Sequence, residues 1–595
     1  MPRAHRVAVI DRELCSPRKC NLECMRFCPV NRIGGKCVSL EDGMVVIVEE
    51  LCTGCGICVK KCPFRAITIV NLAEELEEER IHQYSKNGFR LYRLPRLRRG
   101  GVVGIVGRNG IGKTTAIKIL SGLLKPNLGR LGEEPEWDEV IDRFRGTELM
   151  DHFRRIANGE LRASVKPQAV YELPRVWKGD VRTLLELEDE KGSWRELAEE
   201  LGLSGVLDRK VRELSGGELQ RLAVAVAASR DAELYVFDEP SSYNDVYQRL
   251  RVSRVIRELC GSDTEVLVVE HDLTFLDYLS DYIHVLYGEP GVYGIVSPVF
   301  PARMGINVLL DGYIPTDNVR FRKESLRFEV YSPIGVEADG EVLARYGSLR
   351  KSYGPFTLEV EAGSLRRGEI IGILGANALG KTTFMKMISG VEEPDEGEVE
   401  LDVKVAYKPQ YLSADYEGDV ESLLNLASSG RYSSQPYLSS IILPLRLDKL
   451  YQKSVKELSG GELQKVAVAA TLLRDAEVYA LDEPSAFLDI EDRLALAKLI
   501  QRFVKDYGKA AMIIDHDIQL IDITSDRIMV FLGEPAVRGH ASEPMPKERA
   551  MNLFLKGLGI TYRRDPDTGR PRVNKPDSRL DREQKEKGSY YYLGR

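Results

Sequence analysis

The sequence predicts an α/β chain of two tandem P-loop domains preceded by a small α+β domain, and three observations predict it. A glycine-rich loop of the form G-x4-G-K-T occurs twice, as GRNGIGKT at Gly107–Thr114 and GANALGKT at Gly375–Thr382. A train of further motifs follows each loop in the same order. Nine of the ten cysteines fall between Cys15 and Cys62, leaving only Cys260 beyond them.

The bulk numbers agree with such a division. A chain of 595 residues exceeds one core and suits about three to four domains of roughly 150 residues each. With 43% hydrophobic and 29% charged residues it has ordinary globular composition. A net charge of -7 gives no global attraction to polyanions, so contact with nucleic acid must use local basic patches. No apolar run reaches the roughly 18 residues that span a bilayer, and MPRAHRVAVIDRELC lacks the apolar core of a secretory signal. The expected location is cytoplasmic, where clustered cysteines point to metal rather than to disulfides.

The repeat organises the chain. After the loops come KPQ ending at Gln168 and Gln410, then LSGGELQ from Leu214 and Leu458, then LYVFDEP and VYALDEP ending at Pro240 and Pro484, and then His271 and His516. Ser215 and Ser459 are 244 residues apart, as are Asp238 and Asp482, while the histidines and the pair Asn307 and Asn552 are 245 apart. One interval breaks the match: Lys113 to Gln168 is 55 residues, but Lys381 to Gln410 is only 29. The first half therefore carries about 26 extra residues near 133–160. Val140, Ile141 and Phe144, then Leu149, Phe153 and Ile156, suit two short amphipathic helices around Arg145 and Gly146, an interaction element rather than filler. The acidic stretch Ala73 to Arg80 reads as a solvated helix leading out of the cysteine domain. The basic tail after Lys556 reads equally well as loose or as packed between domains.

Each loop is preceded by a short apolar strand, Val102 to Val106 and Ile370 to Leu374. A strand, a glycine-rich turn and a helix N-terminus together present backbone N–H groups to phosphate oxygens. The candidate nucleotide ligands are Gly107, Asn109, Gly110, Gly112, Lys113, Thr114 and Thr115 in the first half. Gly375, Asn377, Gly380, Lys381, Thr382 and Thr383 are those of the second. Lys113 and Lys381 should reach the β- and γ-phosphates, with Thr114 and Thr382 on magnesium. Asp238 and Asp482 can hold magnesium, while Glu239 and Glu483 can polarise the attacking water. Gln168 and Gln410 are candidate sensors of metal and γ-phosphate, and His271 and His516 candidate contacts to the γ-phosphate. Ser215, Gly216, Gly217, Ser459, Gly460 and Gly461 form a second kind of phosphate nest, lying about 100 residues after the first loop. For adenine, Phe89 and Phe356 lie 24 and 25 residues before the loop lysines, with Tyr84 and Tyr346 as second candidates.

Cys52, Cys55, Cys58 and Cys62, followed by Pro63, form C-x2-C-x2-C-x3-C-P, the bacterial ferredoxin run for a 4Fe-4S cluster. Cys15, Cys20, Cys24 and Cys28, followed by Pro29, form a looser C-x4-C-x3-C-x3-C-P. In two-cluster ferredoxins the fourth cysteine of a run ligates the other cluster. The expected sets are therefore Cys15, Cys20, Cys24 and Cys62 for one cluster, and Cys28, Cys52, Cys55 and Cys58 for the other, with Cys37 left over. Zinc, the competing reading, usually takes two separated pairs.

With these residues in hand the whole chain resembles the ABC subfamily E ribosome-recycling ATPases, the RNase L inhibitor family of archaea and eukaryotes. The likeness rests on IDRELCSPRKC, CTGCGICVKKCPF, FRGTEL, both LSGGELQ motifs, PGVYG and LDGYIPTDNVRFR. It implies two ABC-type nucleotide-binding domains, at 73–290 and 326–545, behind a two-cluster ferredoxin-like domain at 1–72. It implies hinges at 291–325 and 546–595, the latter with the tail. It implies a monomer whose halves pair head to tail, so that Ser459 to Gly461 complete the site on Lys113 and Ser215 to Gly217 that on Lys381. The implied cofactors are two 4Fe-4S clusters, ATP and Mg2+. The implied partners are the small ribosomal subunit with its rRNA and proteins, release factors or Pelota-type rescue factors, and initiation factors, with no membrane. Closure on ATP would swing the cysteine domain and split ribosomes. Two departures stand out: Ala378 in the second loop, and Asn244 where the second half has Leu488. The alternative function is an iron–sulfur electron carrier with ATP-gated redox activity, although no flavin, haem or dinucleotide motif accompanies the cysteines.

Overall fold

The computed structural model describes residues 4–12, 14–73, 76, 78–132, 134–328, 340–400, 403–410 and 416–591. The chain forms two units: one of 1–242, 251–271 and 279–325, the other of 243–250, 272–278 and 326–595. The acidic stretch expected as a helix, Ala73 to Arg80, lies partly outside the described residues.

In the first unit, the strands Ala4–Ile10 and Ile67–Ala73 pair antiparallel, Ile10 opposite Ile67. A hairpin of Val38–Glu41 and Met44–Ile47 turns at Asp42 and Gly43, both with positive φ, as a tight two-residue turn requires. Ala8, Ile10, Val38, Val45 and Ile47 bury one face of this small domain around Cys24, Cys28, Cys37 and Cys58. Asn87 ties the small domain to the first ATPase half. Its amide nitrogen donates to Ala8 O at 3.0 Å and Ile47 O at 2.9 Å, and its carbonyl accepts from Ile47 N at 2.8 Å. Beside it Arg90, buried, pairs with Glu49 at 2.6 Å.

The sheet of the first ATPase half has nine strands among the described residues. Its order is Arg80–Gln83, Arg90–Tyr92, Tyr293–Val296, Tyr282–Glu289, Val102–Val106, Glu265–Val269, Leu234–Asp238 and Ala163–Lys166, with Phe300–Pro301 paired off this path. The central strands are parallel and buried on both faces, which is why VVGIV and LYVFD read as unbroken apolar runs. Parallel strands aim their carboxyl ends, and the loops after them, at one edge, where an open α/β sheet places its ligand site. The insertion forms the two expected helices, Trp137–Arg143 and Glu148–Ala157. Phe144 stacks on Phe153 at 4.7 Å, and Val140 and Phe153 join the main core.

In the second unit the corresponding sheet runs Leu349–Tyr353, Phe356–Val360, Arg538–Ala541, Arg527–Glu534, Ile370–Gly375, Ala510–Ile514, Val478–Asp482 and Val405–Lys408, with Met545–Pro546 paired off this path. One sequence expectation changes and one left open is settled. The segment 291–325 does not begin as a hinge: Tyr293–Val296 is an internal strand between two others of the first sheet. The basic tail is packed. Arg570 is fully buried, and Arg572 makes a two-pronged contact with Asp277, Nε to Oδ2 at 2.8 Å and Nη2 to Oδ1 at 3.0 Å, the pairing that best repays burial of charge.

Candidate functional site

In each half the phosphate loop closes on a helix N-terminus. Gly112 and Gly380, both at φ +92°, lie immediately before the helices Lys113–Leu120 and Lys381–Ile388, a backbone geometry that excludes most side chains. Lys113 Nζ donates to Gly107 O at 3.0 Å and Arg108 O at 2.8 Å. Lys381 Nζ donates to Gly375 O at 2.9 Å and Ala376 O at 2.6 Å. Ala378 takes the position of Gly110 and adopts the same left-handed backbone, φ +59° against +72°. The loop shape is thus kept at the cost of a crowded Cβ. In the second unit, Asn377 N donates to Asp245 Oδ2 at 2.7 Å.

The carboxylate pairs emerge from the ends of Leu234–Asp238 and Val478–Asp482. Thr114 Oγ1 donates to Asp238 Oδ2 at 3.2 Å, and Thr382 Oγ1 to Asp482 Oδ2 at 2.8 Å. The hydroxyl and carboxylate expected on one magnesium ion therefore meet in both halves. Gln168 Nε2 donates to Glu239 Oε1 at 2.8 Å, and Gln410 Nε2 to Glu483 Oε1 at 2.6 Å. His271 Nε2 lies 3.5 Å from Glu239 Oε1, and His516 Nε2 lies 3.1 Å from Glu483 Oε1. Both histidines are buried with Nε2 directed at the glutamate carboxylate.

Electrostatics separate the two acids of each pair. Burial, reinforced by the adjacent glutamate, pushes Asp238 and Asp482 up to about 6. Burial opposes ionisation of the glutamates as well, yet His271 with Lys113 and Gln168 holds Glu239 down at about 2. His516 with Lys381 and Lys408 does the same for Glu483, at about 2. A carboxylate held that low stays ionised at neutral pH and is a weak base, suited to orienting and polarising water. The aspartates instead gain from a cation at Thr114 or Thr382.

Ser215 and Ser459 start helices of their own, Gly216–Ser229 and Gly460–Leu472, each through a capping box with Glu218 or Glu462. Gly216, Gly217, Gly460 and Gly461 form the first turns of these helices, where the N–H groups have no partner within the helix. The aromatic candidates divide. Phe89 and Phe356 lie over the loop glycines Gly112 and Gly380, and Tyr84 Oη is 3.0 Å from Thr115 Oγ1. Tyr346 is a correction: it is buried, edge-on to Phe384 at 5.5 Å with its hydroxyl on Met529 Sδ, and has no free face for a base. Its place belongs to Tyr353. Tyr353 stands opposite Phe356 in its hairpin, as Tyr84, through its N–H to Phe89 O, stands opposite Phe89. Register with the phenylalanine, not distance from the loop, was the usable signal.

The cysteines lie close to one another in two groups. Burial pushes the Cys24 thiol up to about 12, and the neighbours that add to it are Cys62, Cys15 and Cys20. Cys58, pushed up to about 11 by burial, has Cys52, Cys55 and Cys28 as its neighbours. Proline sets the backbone of the last cysteine in each run. Cys28 and Cys62, each before a proline, are extended at ψ 121° and 117°, as a residue preceding proline must be, and so leave their own helical turns. Cys28, Cys52, Cys55 and Cys58 line one small cavity with Cys37 and Ile47, and a thiolate set lining a common hollow fits a cluster. Among the described residues no three Cys, His, Asp or Glu side chains converge on a single metal ion. Cys37 is buried and sits against Cys28 and Cys52. No helix among the described residues is long and apolar enough to cross a membrane.

Comparison with known proteins bears on both parts. The ABC transporter ATPase profile matches 95–242 and 361–486. A possible Fer4-like domain of the RNase L inhibitor matches 5–36, and the 4Fe-4S binding domain matches 45–68. An uncharacterized ABC transporter ATP-binding protein of Methanocaldococcus jannaschii is 52% identical over 99% of this chain and 98% of its own. ABC transporter E family member 1 of Arabidopsis thaliana is 46% identical over 99% of each. The translation initiation factor RLI1 of Saccharomyces cerevisiae is 44% identical over 99% and 98%. Among solved structures, one of ribosome-bound archaeal Pelota and ABCE1 aligns with TM-score 0.94 and 54% identity over the full length of both chains. An RNase-L inhibitor aligns with TM-score 0.82 and 54% identity, covering 87% of this chain and all of its own. Two ABC cassettes make the chain an ATPase that carries iron–sulfur ligation, and with relatives this similar along nearly its whole length it belongs to the ABC subfamily E, or RNase L inhibitor, family.

Proposed function

We propose that the chain is an ATP-driven ribosome recycling factor that splits ribosomes into subunits in the cytoplasm. The observation that carries this reading is the coexistence, in one unit, of an ATP site and a cysteine domain anchored beside it through Asn87 and the Glu49–Arg90 pair. A rigid appendage on an ATPase half is moved by whatever moves that half. Relatives support the biological target. One aligned structure is of ribosome-bound archaeal Pelota and ABCE1, and another is a complex of the archaeal ribosomal stalk protein aP1 with the archaeal ribosome recycling factor aABCE1. The fungal relatives are called translation initiation factors. By that likeness the partners are the small subunit, a release or Pelota-type factor, and initiation factors. The electron-carrier alternative is set aside, because these relatives match the cysteine domain and both cassettes together.

In this reading the loop amides and Lys113 or Lys381 bind the ATP phosphates, and Thr114 with Asp238, or Thr382 with Asp482, holds Mg2+. Bound magnesium supplies charge neutralisation of the phosphates. Glu239 and Glu483 polarise the attacking water, Gln168 and Gln410 keep them aimed, and His271 and His516, beside those carboxylates, reach the γ-phosphate. Tyr84 with Phe89, and Tyr353 with Phe356, face the base. Each Ser-Gly-Gly turn serves the nucleotide of the opposite half, so ATP closes the halves and hydrolysis releases them. Cys15, Cys20, Cys24 and Cys62 hold one 4Fe-4S cluster, and Cys28, Cys52, Cys55 and Cys58 a second. The test is sedimentation of the Glu239→Gln/Glu483→Gln protein with small ribosomal subunits and ATP. Co-migration is expected, and protein that stays at the top of the gradient overturns the reading.

A further inference from the structure

Two buried lysines have so far been given no part in positioning the backbone of the site. Lys166 and Lys408 end the strands Ala163–Lys166 and Val405–Lys408, two residues before Gln168 and Gln410. They pair in register with Phe237 and Leu481, one residue short of the aspartates. From there each side chain reaches past the end of the neighbouring strand. Lys166 Nζ donates to Asp238 O at 2.7 Å and Glu239 O at 3.2 Å. Lys408 Nζ donates to Asp482 O at 2.7 Å, Glu483 O at 3.4 Å and Pro409 O at 3.1 Å. Relative exposures are 0% and 1%.

Burying an ammonium costs several kcal/mol unless its donors are satisfied. An apolar side chain of similar length would fill the same space without that cost. What the charge holds is unusual backbone. Glu239 and Glu483 have φ +49° and +47°, a left-handed conformation that costs of order 1 kcal/mol or more in a non-glycine residue. Their N–H groups donate to Val269 O at 2.9 Å and Ile514 O at 2.8 Å. The lysine takes the carbonyl side, closest to the aspartate carbonyl, and in the second half it shares Glu483 O with Gln464 Nε2 at 2.6 Å, so each glutamate is held from both directions. Around the cation stand Asp238, Glu239 and Glu270 in the first half, and Asp482, Glu483 and Asp515 in the second. Glu270 and Asp515 in turn accept from Ser241 N and Ser485 N, holding the turn just after each glutamate.

The geometry points to Lys166 and Lys408 as positioning residues for ATP hydrolysis, clamps that fix the strained backbone of Glu239 and Glu483 so that their carboxylates stay aimed at the attacking water. This rests on the glutamates being the water-polarising groups, and not on what hydrolysis is coupled to. The experiment uses the full-length protein and measures phosphate release, ATP KM and thermal midpoint. In the Lys166→Met/Lys408→Met protein kcat falls about tenfold or more while KM stays within about threefold, and the midpoint is kept or raised. The Lys166→Gln/Lys408→Gln protein, which can still donate one N–H to the aspartate carbonyl, recovers about threefold over the methionine pair. If the methionine pair does not fold, the glutamine pair decides: lowered kcat with retained KM supports the clamp. A kcat within about twofold of the parent overturns it, as does a kcat loss matched by an equal loss of affinity and stability. Glu239→Gln/Glu483→Gln run in parallel separates the premises: turnover retained there removes the glutamates' role, and the clamp with it.

Discussion

At one place in the sheet, the first ATPase half has His284 and the second has Met529; each lies beside the phosphate-loop strand, opposite Ile105 and Ile373. Both are buried. Met529 only packs and accepts from Tyr346 Oη. His284 is wired on both nitrogens, Nδ1 to Ser297 O at 2.7 Å and Nε2 from Arg96 N at 3.0 Å, which assigns the neutral ring with its proton on Nδ1. The helix hairpin near Phe153 likewise has a place only in the first core, whereas the second phosphate loop alone carries a left-handed alanine. The halves teach that the repeated fold tolerates different cores and turns as long as the backbone that meets phosphate, and the acids beyond it, are kept.

The largest effect should fall on the hairpin. Phe153→Ala empties a fully buried site and should destabilise the first unit by about 3 to 5 kcal/mol, leaving exchange protection of strand Arg527–Glu534 unchanged. Equal loss in both units would break the comparison. Acid should act on the same side. Burial lowers His284 from 6.5 to about 4, so the folded state favours the neutral ring. Its stabilisation is complete above about 6.5, is lost as pH falls from there through about 4, and amounts to about 3 kcal/mol. Hydrogen exchange of strand Tyr282–Glu289 should therefore accelerate across that window more than that of Arg527–Glu534, and His284→Met should remove the difference.

Turnover gives the third contrast. Glu239→Gln and Glu483→Gln should each leave residual phosphate release, and the double variant should lose about 100-fold or more. A single substitution that abolishes all turnover would show that the two acid sets do not work as separate centres. The smallest effect belongs to Ala378→Gly, which relieves the left-handed Cβ and should stabilise the second unit by about 0.5 to 1 kcal/mol, read from its denaturation midpoint. Gly110→Ala should cost the first unit a similar amount.

Much of the ATP site was legible because its parts are short and local. G-x4-G-K-T shapes its own turn and helix start, an apolar strand ending in Asp-Glu sets two acids side by side, and Ser-x-x-Glu writes its own cap. The cysteine runs were legible for the same reason. The strand Tyr293–Val296 was misplaced into a hinge, because its partners Arg90–Tyr92 and Tyr282–Glu289 lie in different parts of the chain. Tyr353 was missed, and Tyr346 named, because distance along the chain does not reveal which tyrosine faces Phe356 across a hairpin.

By itself, then, the sequence determined the two phosphate loops, the acid pairs, the cysteine runs and the inserted hairpin, all written in residues a few positions apart. Tertiary structure alone decided that Lys166 and Lys408 reach under the acid pairs, that Asn87 anchors the cysteine domain, and that Arg570 and Arg572 are buried on Asp277. The physical reason is range. Backbone conformation follows from neighbouring residues, whereas the partner of a buried charge or amide is set by sheet register and packing between segments tens to hundreds of residues apart.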